Sequence, residues 1–149
     1  MLHTPHLSLI TKKMLHLEIV TPEKKVFSDK VADVYLPGGD GEIGVLDLHA
    51  ALVTTLTAGE LRYQKDGNSH ELAIGSGFAE ISDDKVIILT DMALGEDEID
   101  EAATQAAIER AEEQLKNFDH NENIEEFTQL QGLIAQNLAK LNLKRKRRN

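Results

Sequence analysis

The fold is decided around residues 35–52, which read YLPGGDGEIGVLDLHAAL. A strand-like apolar run enters a glycine-rich turn here, and a second apolar run leaves it. Pro37 fixes its own φ angle and offers no amide proton, while the four glycines that follow tolerate positive φ angles. The sequence therefore predicts a tight β-turn between two strands, with Glu42 and His49 as polar groups at or near its rim.

Glycine-rich loops also bind phosphate, but this loop lacks the chemistry for it. A P-loop needs a Gly-Lys pair followed by Ser or Thr to reach the phosphates and the magnesium ion, and no lysine lies within residues 35–52. A dinucleotide fingerprint fails because the glycine spacing is wrong and the next residues do not read as a helix. A turn within an all-β unit remains the interpretation from residue types.

Composition excludes several classes of protein. The chain has 149 residues, of which 41% are hydrophobic and 28% charged, as in a globular protein. No apolar run approaches the ~20 residues that a membrane span needs, so we expect a soluble protein or one attached to a membrane only through a partner. The absence of cysteine excludes disulfides and thiolate metal sites.

Catalytic and metal sites are not expected either. The six histidines are scattered without metal-ligand spacing. The sequence shows no nucleophile with a positioned base and no pair of carboxylates at a spacing that suggests catalysis. We therefore predict no catalytic residue, no metal site and no bound cofactor, and a chain that is not an enzyme by itself.

Charge is distributed unevenly. The formal net charge is −10, but the last residues before the C-terminus contribute +5, which leaves −15 on the rest. These cations are Lys144, Arg145, Lys146, Arg147 and Arg148. An acidic body repels nucleic acid, whereas a basic end attracts an acidic surface.

The order of patterns predicts a mainly β protein with added helices. Residues 1–14 read as a disordered extension, and Met14 is a candidate initiator. Residues 15–92 contain short strands at close turn spacing, including an Asp66-Gly67 hairpin signal, and predict an antiparallel β-sandwich. Residues 93–143 predict a two-helix antiparallel hairpin connected through residues 117–123, and residues 144–149 form the basic tail.

Helical periodicity begins after residue 91. Asp97 is the expected N-cap, because its carboxylate can accept amide protons of the first turn. The first helix is predicted to present a shallow stripe composed of Ile99, Ala102, Ala103, Ala106, Ala107, Ala111 and Leu115. The second is predicted to present Ile124, Phe127, Leu130, Ile134, Leu138 and Leu141. Because an alanine stripe buries little apolar area, we expect the hairpin to pack weakly and to be capable of moving.

Several motifs resemble one known family. The segment PGGDGEIGVL, followed closely by LHAAL, is similar to the EGE(L/I)G and GHAPL segments of the epsilon subunit of bacterial rotary ATP synthases. Further similar segments are residues 26–28, 75–80 and 99–102, and the resemblance extends from Leu15 to about Leu143.

This resemblance implies a role and partners. The sandwich would be a non-catalytic foot of the central stalk, bound to the gamma subunit and seated on the c-ring at the cytoplasmic face of the bacterial inner membrane. It would transmit proton- or sodium-driven rotation toward ATP synthesis. The residues carried over to the c-ring and gamma interface are Gly39, Asp40, Gly41, Glu42, Gly44 and His49. The helices would extend along gamma to inhibit ATP hydrolysis in the alpha/beta head, with Lys144, Arg145, Lys146, Arg147 and Arg148 against the beta subunit.

The family's nucleotide motif is present only in part. The resemblance assigns Ile99 and Asp100 to it, but Ala103 replaces the motif arginine and Thr104 the following alanine. Gln129 and Gln136 stand near where ATP-binding relatives carry arginines. Since arginine supplies charge and a bidentate fork to phosphate, we predict weak or absent ATP binding.

An alternative remains open at this stage. A small β-domain could bind nucleic acid through its basic tail, because arginine-rich ends contact phosphate. The −15 body and the 4% aromatic content argue against it, since base stacking needs aromatic platforms.

Overall fold

The computed structural model describes residues 14–45, 51–118 and 123–148. Three predicted features lie outside these ranges: the N-terminal extension up to residue 13, the side chain and backbone of His49, and part of the connection between the helices. The described residues form ten strands: β1 (Leu15–Val20), β2 (Lys25–Val31), β3 (Asp33–Gly38), β4 (Gly41–Val45), β5 (Leu52–Leu56), β6 (Gly59–Lys65), β7 (Asn68–Ile74), β8 (Gly77–Ser82), β9 (Lys85–Thr90) and β10 (Ala93–Gly95). A 3₁₀ turn (Glu96–Glu98), helix α1 (Glu101–Lys116) and helix α2 (Ile124–Arg148) follow.

The strands form a sheet folded into a sandwich, as predicted. Their order is β10-β7-β6-β3-β5-β8-β9-β1-β2, with β4 paired to β3. Between β3 and β5 the described pairing is a single bridge, Gly38 opposite Leu56, where the sheet folds over. The predicted antiparallel arrangement has one exception, because β1 runs parallel to β9.

Local sequence explains these strands. Leu15, Leu17 and Ile19 alternate with polar residues and are fully buried, so β1 contributes one apolar face to the core. The Asp66-Gly67 turn has φ angles of 53° and 79°, the left-handed values that a two-residue hairpin requires. Both predictions are confirmed.

The helical region differs from the sequence prediction in four respects. Asp97 does not cap the helix; Asp100 does, because its Oδ1 atom accepts the amide proton of Ala103 at 3.0 Å. The predicted stripe of the first helix is right at Ala111 but misses the other buried residues of α1, Thr104 and Ile108. In the predicted stripe of the second helix, Ile124 and Leu138 are exposed. β10 extends the sheet past residue 92 by pairing with β7. α2 continues through the basic residues to Arg148, so residues 144–148 continue the helix rather than form a separate tail.

The helical hairpin packs against the sandwich. α1 contacts α2, and α2 lies against β6 and β7. A second apolar cluster joins them, made of Ala73, Ile99, Ala139 and Leu143, with Met92 and Leu94 at its margin. Leu143 is fully buried, which places the end of α2 on the sandwich.

Candidate partner-binding surfaces

The quoted glycine-rich stretch forms the β3–β4 hairpin. Gly39 and Asp40 make its exposed tip. Gly41 has a φ angle of 122°, which residues with a side chain rarely adopt, whereas the other glycines of the turn do not have positive φ angles. Gly44 lies opposite Tyr35, and a Cβ atom there would stand 3.2 Å from the tyrosine ring. A Cβ atom at Gly38 would lie only 2.6 Å from Cδ1 of Ile43. The glycines thus serve one backbone reversal, at Gly41, and close side-chain approaches at Gly38 and Gly44.

A neighbouring turn fixes the base of this hairpin. The carbonyl oxygen of Pro37 accepts hydrogen bonds from the amide and the hydroxyl of Thr57, at 2.9 and 3.3 Å. Gly59 packs so closely that an added Cβ atom would lie 2.9 Å from the Pro37 Cβ atom. The hairpin is therefore anchored at its base, while its tip is exposed to solvent.

Glu42 is exposed and oriented by a neighbour. It lies on β4 opposite Pro37, with 58% of its side chain accessible. Its Oε2 atom is 3.7 Å from Nη2 of Arg62, whose guanidinium stacks over the Tyr35 ring at 4.5 Å from the centroid. An exposed ion pair contributes little stability, but the stacked arginine restricts where the carboxylate points.

An apolar surface that sequence reasoning missed lies on the outer face of β5, β8 and β9. Phe78 is 55% exposed and pairs directly with Leu89, which is 51% exposed. Val53, 67% exposed, lies on the adjacent strand opposite Glu80. A groove of about 330 Å³ beside Leu89 extends the surface toward Val20 and Pro22. We call this the β8 face.

A sequence signal for the β8 face existed. Ala79 and Ile81 point to the core, so Phe78 occupies the outward positions that it shares with the polar Glu80 and Ser82. An exposed aromatic residue that adjoins further exposed apolar side chains marks a contact surface, whereas a single exposed apolar residue is ordinary. The β8 face therefore has the character of a protein-binding surface.

The residues assigned to the nucleotide motif have structural roles here. Ile99 is 4% exposed within the second apolar cluster. Asp100 caps α1 through its carboxylate, and its carbonyl oxygen accepts the hydroxyl proton of Thr104 at 2.7 Å. A surface depression beside them is lined by Ala103, Thr104 and Lys140, without an arginine. Both motif residues therefore serve the packing and capping of α1, and neither supplies a positive charge to a phosphate.

The basic residues at the end of α2 face the acidic body. Lys144 contacts Glu96, Arg145 contacts Glu101, and Lys146 contacts both Glu60 and Glu71. The side chains of Arg147 and Arg148 are outside the described part of the chain. Hydrogen bonds from Lys146 to the Glu60 and Glu71 carboxylates raise the pKa of its ammonium group. The stabilisation that the charged Lys146 gives to the folded chain is thus fully present below the usual lysine pKa, and it is lost only as pH rises through the raised pKa.

Two further kinds of site are absent from residues 14–45, 51–118 and 123–148. No helix there is long and apolar enough to cross a membrane. No group of three or more histidine, aspartate or glutamate side chains there is arranged to hold a metal ion.

The sequence comparisons agree on one family of proteins. A sequence profile described as "ATP synthase, Delta/Epsilon chain, beta-sandwich domain" matches residues 14–96. The ATP synthase epsilon chain of Desulforamulus reducens is 44% identical over 105 residues, covering 70% of this chain and 80% of that protein. The ATP synthase epsilon chain of Citrifermentans bemidjiense is 42% identical over 128 residues, covering 84% and 93%.

A solved structure extends the likeness to the helices. A chain in the cryo-EM structure of the Euglena gracilis mitochondrial ATP synthase, with OSCP, F1 and c-ring in rotational state 1, matches with a TM-score of 0.70. The sequence identity is 26%, and the match covers 91% of this chain and 82% of that one.

Proposed function

The chain belongs to the ATP synthase delta/epsilon family, and on that premise we propose that it is the epsilon-type subunit of the central stalk of an F-type ATP synthase. It is a non-catalytic subunit of that complex. The observation that carries this proposal is the family match over the whole sandwich, residues 14–96. That sandwich presents an anchored acidic hairpin and an apolar outer face, which are binding features rather than catalytic ones.

Two surfaces divide the contacts. The β8 face, which exposes Phe78 and Leu89, is the surface for the gamma subunit, because aromatic and aliphatic side chains form the centres of stable protein interfaces. The β3–β4 hairpin, with Gly39, Asp40, Gly41, Glu42 and Gly44, is the surface for the polar loops of the c-ring. His49 is retained in this interface from the family motif alone.

With these proposed contacts, the chain is part of the rotor. Ion-driven rotation of the c-ring passes through this sandwich and gamma toward ATP synthesis in the head. The chain is attached to the membrane through the complex, at the cytoplasmic face of the bacterial inner membrane. A hairpin whose base is anchored by two hydrogen bonds from Thr57 to Pro37 suits this role, because a contact that carries torque must not bend under load.

The helical hairpin adds regulation. In an extended state, the helices inhibit ATP hydrolysis by contacting the alpha/beta head, with the basic end of α2 against an acidic segment of the beta subunit. Opposite charges favour such an encounter. The hairpin described here is instead packed on the sandwich, so inhibition requires its release.

Neither nucleotide nor nucleic acid is a proposed ligand. The buried Ile99, the capping Asp100 and the absence of the motif arginine all support the prediction of weak or absent ATP binding. Nucleic-acid binding needs free cations, whereas Lys144, Arg145 and Lys146 contact carboxylates of the body.

Reversing the charge of Glu42 tests the hairpin contact. Glu42→Lys is expected to lower the amount of this chain that co-purifies with the c-ring by about tenfold, which corresponds to about 1.4 kcal/mol, because it replaces the acid proposed to face the polar loops of the ring by a cation. The measurement is the ratio of this chain to c-ring in detergent-purified complexes.

Glu112→Lys is the matched control, since Glu112 is an exposed acid on α1 and the charge change is the same. Circular dichroism checks that both variants fold. Equal recovery of the Glu42 and Glu112 variants with the ring would exclude the β3–β4 hairpin as the ring contact.

A further inference from the structure

The end of α2 is bonded to three separate elements of the body. Lys146 Nζ lies 2.8 Å from Oε1 of Glu60 on β6 and 2.7 Å from Oε2 of Glu71 on β7. Lys144 Nζ lies 3.1 Å from Oε2 of Glu96 in the 3₁₀ turn and 3.2 Å from the carbonyl oxygen of the same residue. One helical turn therefore joins two strands and the segment that leads into α1.

Arg145 closes the arrangement on the other side. Its Nε atom lies 3.1 Å from Oε2 of Glu101, and its Nη2 atom lies 3.2 Å from Oε1 of Gln105, both on α1. Consecutive residues 144–146 thus contact the 3₁₀ turn, α1 and the β6–β7 pair. The partners of Lys144 and Lys146 lie in the 3₁₀ turn and the sandwich, 48 to 86 residues away in sequence, so these bonds form only when α2 is folded onto the sandwich. The Arg145 bonds instead join α2 to α1 within the helical hairpin.

Apolar contacts lie beneath these charges. Leu143, which precedes the cations, is fully buried with Ala73 of β7 and with Ile99. The docked end of α2 therefore has an apolar base and a charged rim. Because the apolar base is small, the charged rim has a measurable share in holding the helix.

Isolated surface ion pairs contribute little, but the Lys146 contact is not isolated. Glu71 has only 9% of its side chain exposed, and Lys146 bridges it to Glu60 on the neighbouring strand. Without the cation, two carboxylates on one sheet face would repel each other. A shared cation at a largely buried acid is screened less by salt than an exposed pair.

We propose that Lys144 and Lys146 form a charge latch that holds α2 on the sandwich, while Arg145 joins the same turn to α1, and that release of this latch makes these cations available to an acidic surface of the catalytic head. The second half rests on the proposed function, whereas the first half concerns this chain alone. A cation bonded to the body cannot contact the head at the same time, so docking and inhibition exclude each other.

The latch is tested first in the isolated chain by amide hydrogen exchange. In the double variant Glu60→Gln, Glu71→Gln, exchange at residues 137–146 of α2 is expected to rise about three- to tenfold, while exchange in β1 and β9 stays unchanged. The matched control is Glu112→Gln, Glu113→Gln on the exposed side of α1. Unchanged exchange in α2, or an equal rise in β1 and β9, would overturn the latch.

A charge exchange separates the latch from general stability. Lys146→Glu alone is expected to raise exchange in α2, and adding Glu60→Lys and Glu71→Lys is expected to restore protection. Failure of the restored pairing to protect α2 would contradict a charge-based latch.

The assembled complex tests the second half with opposite signs. The double variant Glu60→Gln, Glu71→Gln leaves the cations intact and is expected to lower ATP hydrolysis about threefold. The reason is that the undocked population of α2, which hydrogen exchange measures, rises and can inhibit the head. Deleting residues 144–149 is expected to raise it. If exchange in α2 rises but hydrolysis does not change, the latch stands and the inhibitory part of the proposed function fails.

Discussion

Replacing Phe78 by glutamate is expected to weaken binding of this chain to the gamma subunit by about 30- to 1,000-fold, the range for an aromatic hot-spot residue. Phe78 stands at the centre of the β8 face, paired with Leu89 and flanked by Val53. A buried interface would leave the introduced carboxylate without solvent or a partner, which adds to the lost apolar contact. The measurement is titration calorimetry with purified gamma.

Ser69→Glu is the matched control, because Ser69 is an exposed residue of β7, in the other layer of the sandwich. Since Phe78 is 55% exposed, the free energy of unfolding of the Phe78→Glu variant is expected to lie within about 0.5 kcal/mol of that of the unmodified chain. Undiminished binding of a folded Phe78 variant would remove the β8 face from the stalk interface.

Adding one methyl group at Gly77 is expected to lower the free energy of unfolding by about 3 kcal/mol, the upper range for overpacking. A Cβ atom there would overlap the carbonyl oxygen of Leu89 and lie 2.9 Å from the Cα atom of Thr90. Both are backbone atoms of β9, which lies between β8 and β1, so the strand itself must move.

Gly132 provides the opposite result from the same chemical change. It lies in α2, and a Cβ atom there would meet nothing within 4 Å. Gly132→Ala is therefore expected to stabilise the helix by about 1 kcal/mol, the propensity difference. Urea denaturation of both variants measures the pair; similar stability of Gly77→Ala and the unmodified chain would show that β8 and β9 separate at little cost.

Strand pattern and turn chemistry were predictable because both are local. The alternation in β1 and the Asp66-Gly67 pair depend on residues next to each other, and both are confirmed. The N-cap of α1 was not predictable, because several acidic residues between positions 96 and 101 could serve as the cap. The 3₁₀ turn at Glu96–Glu98 shifts the start of α1 toward the C-terminus. Asp100 is then the acid whose carboxylate can accept the amide proton of the residue three positions later, Ala103.

Buried faces and long-range contacts were less predictable. Alanine has high helix propensity both on exposed and on buried faces, so an alanine stripe does not identify the packed side of α1. The basic residues read as a solvated tail, because nothing near them in sequence reveals that Glu60 and Glu71 lie beneath Lys146. Phe78 lies within residues 75–80, which were compared only as a motif segment; its alternation with Ala79 and Ile81, which indicates an outward position, was not used.

The most direct test of the central claim is purification of this chain, with an affinity tag, from the membranes of its own cell. The account predicts that gamma and the c-ring are recovered with it in the proportions of an intact ATP synthase. It also predicts that Phe78→Glu loses gamma and the ring together, whereas Glu42→Lys loses the ring and keeps gamma. Recovery of the unmodified chain without either subunit would contradict the assignment to the central stalk.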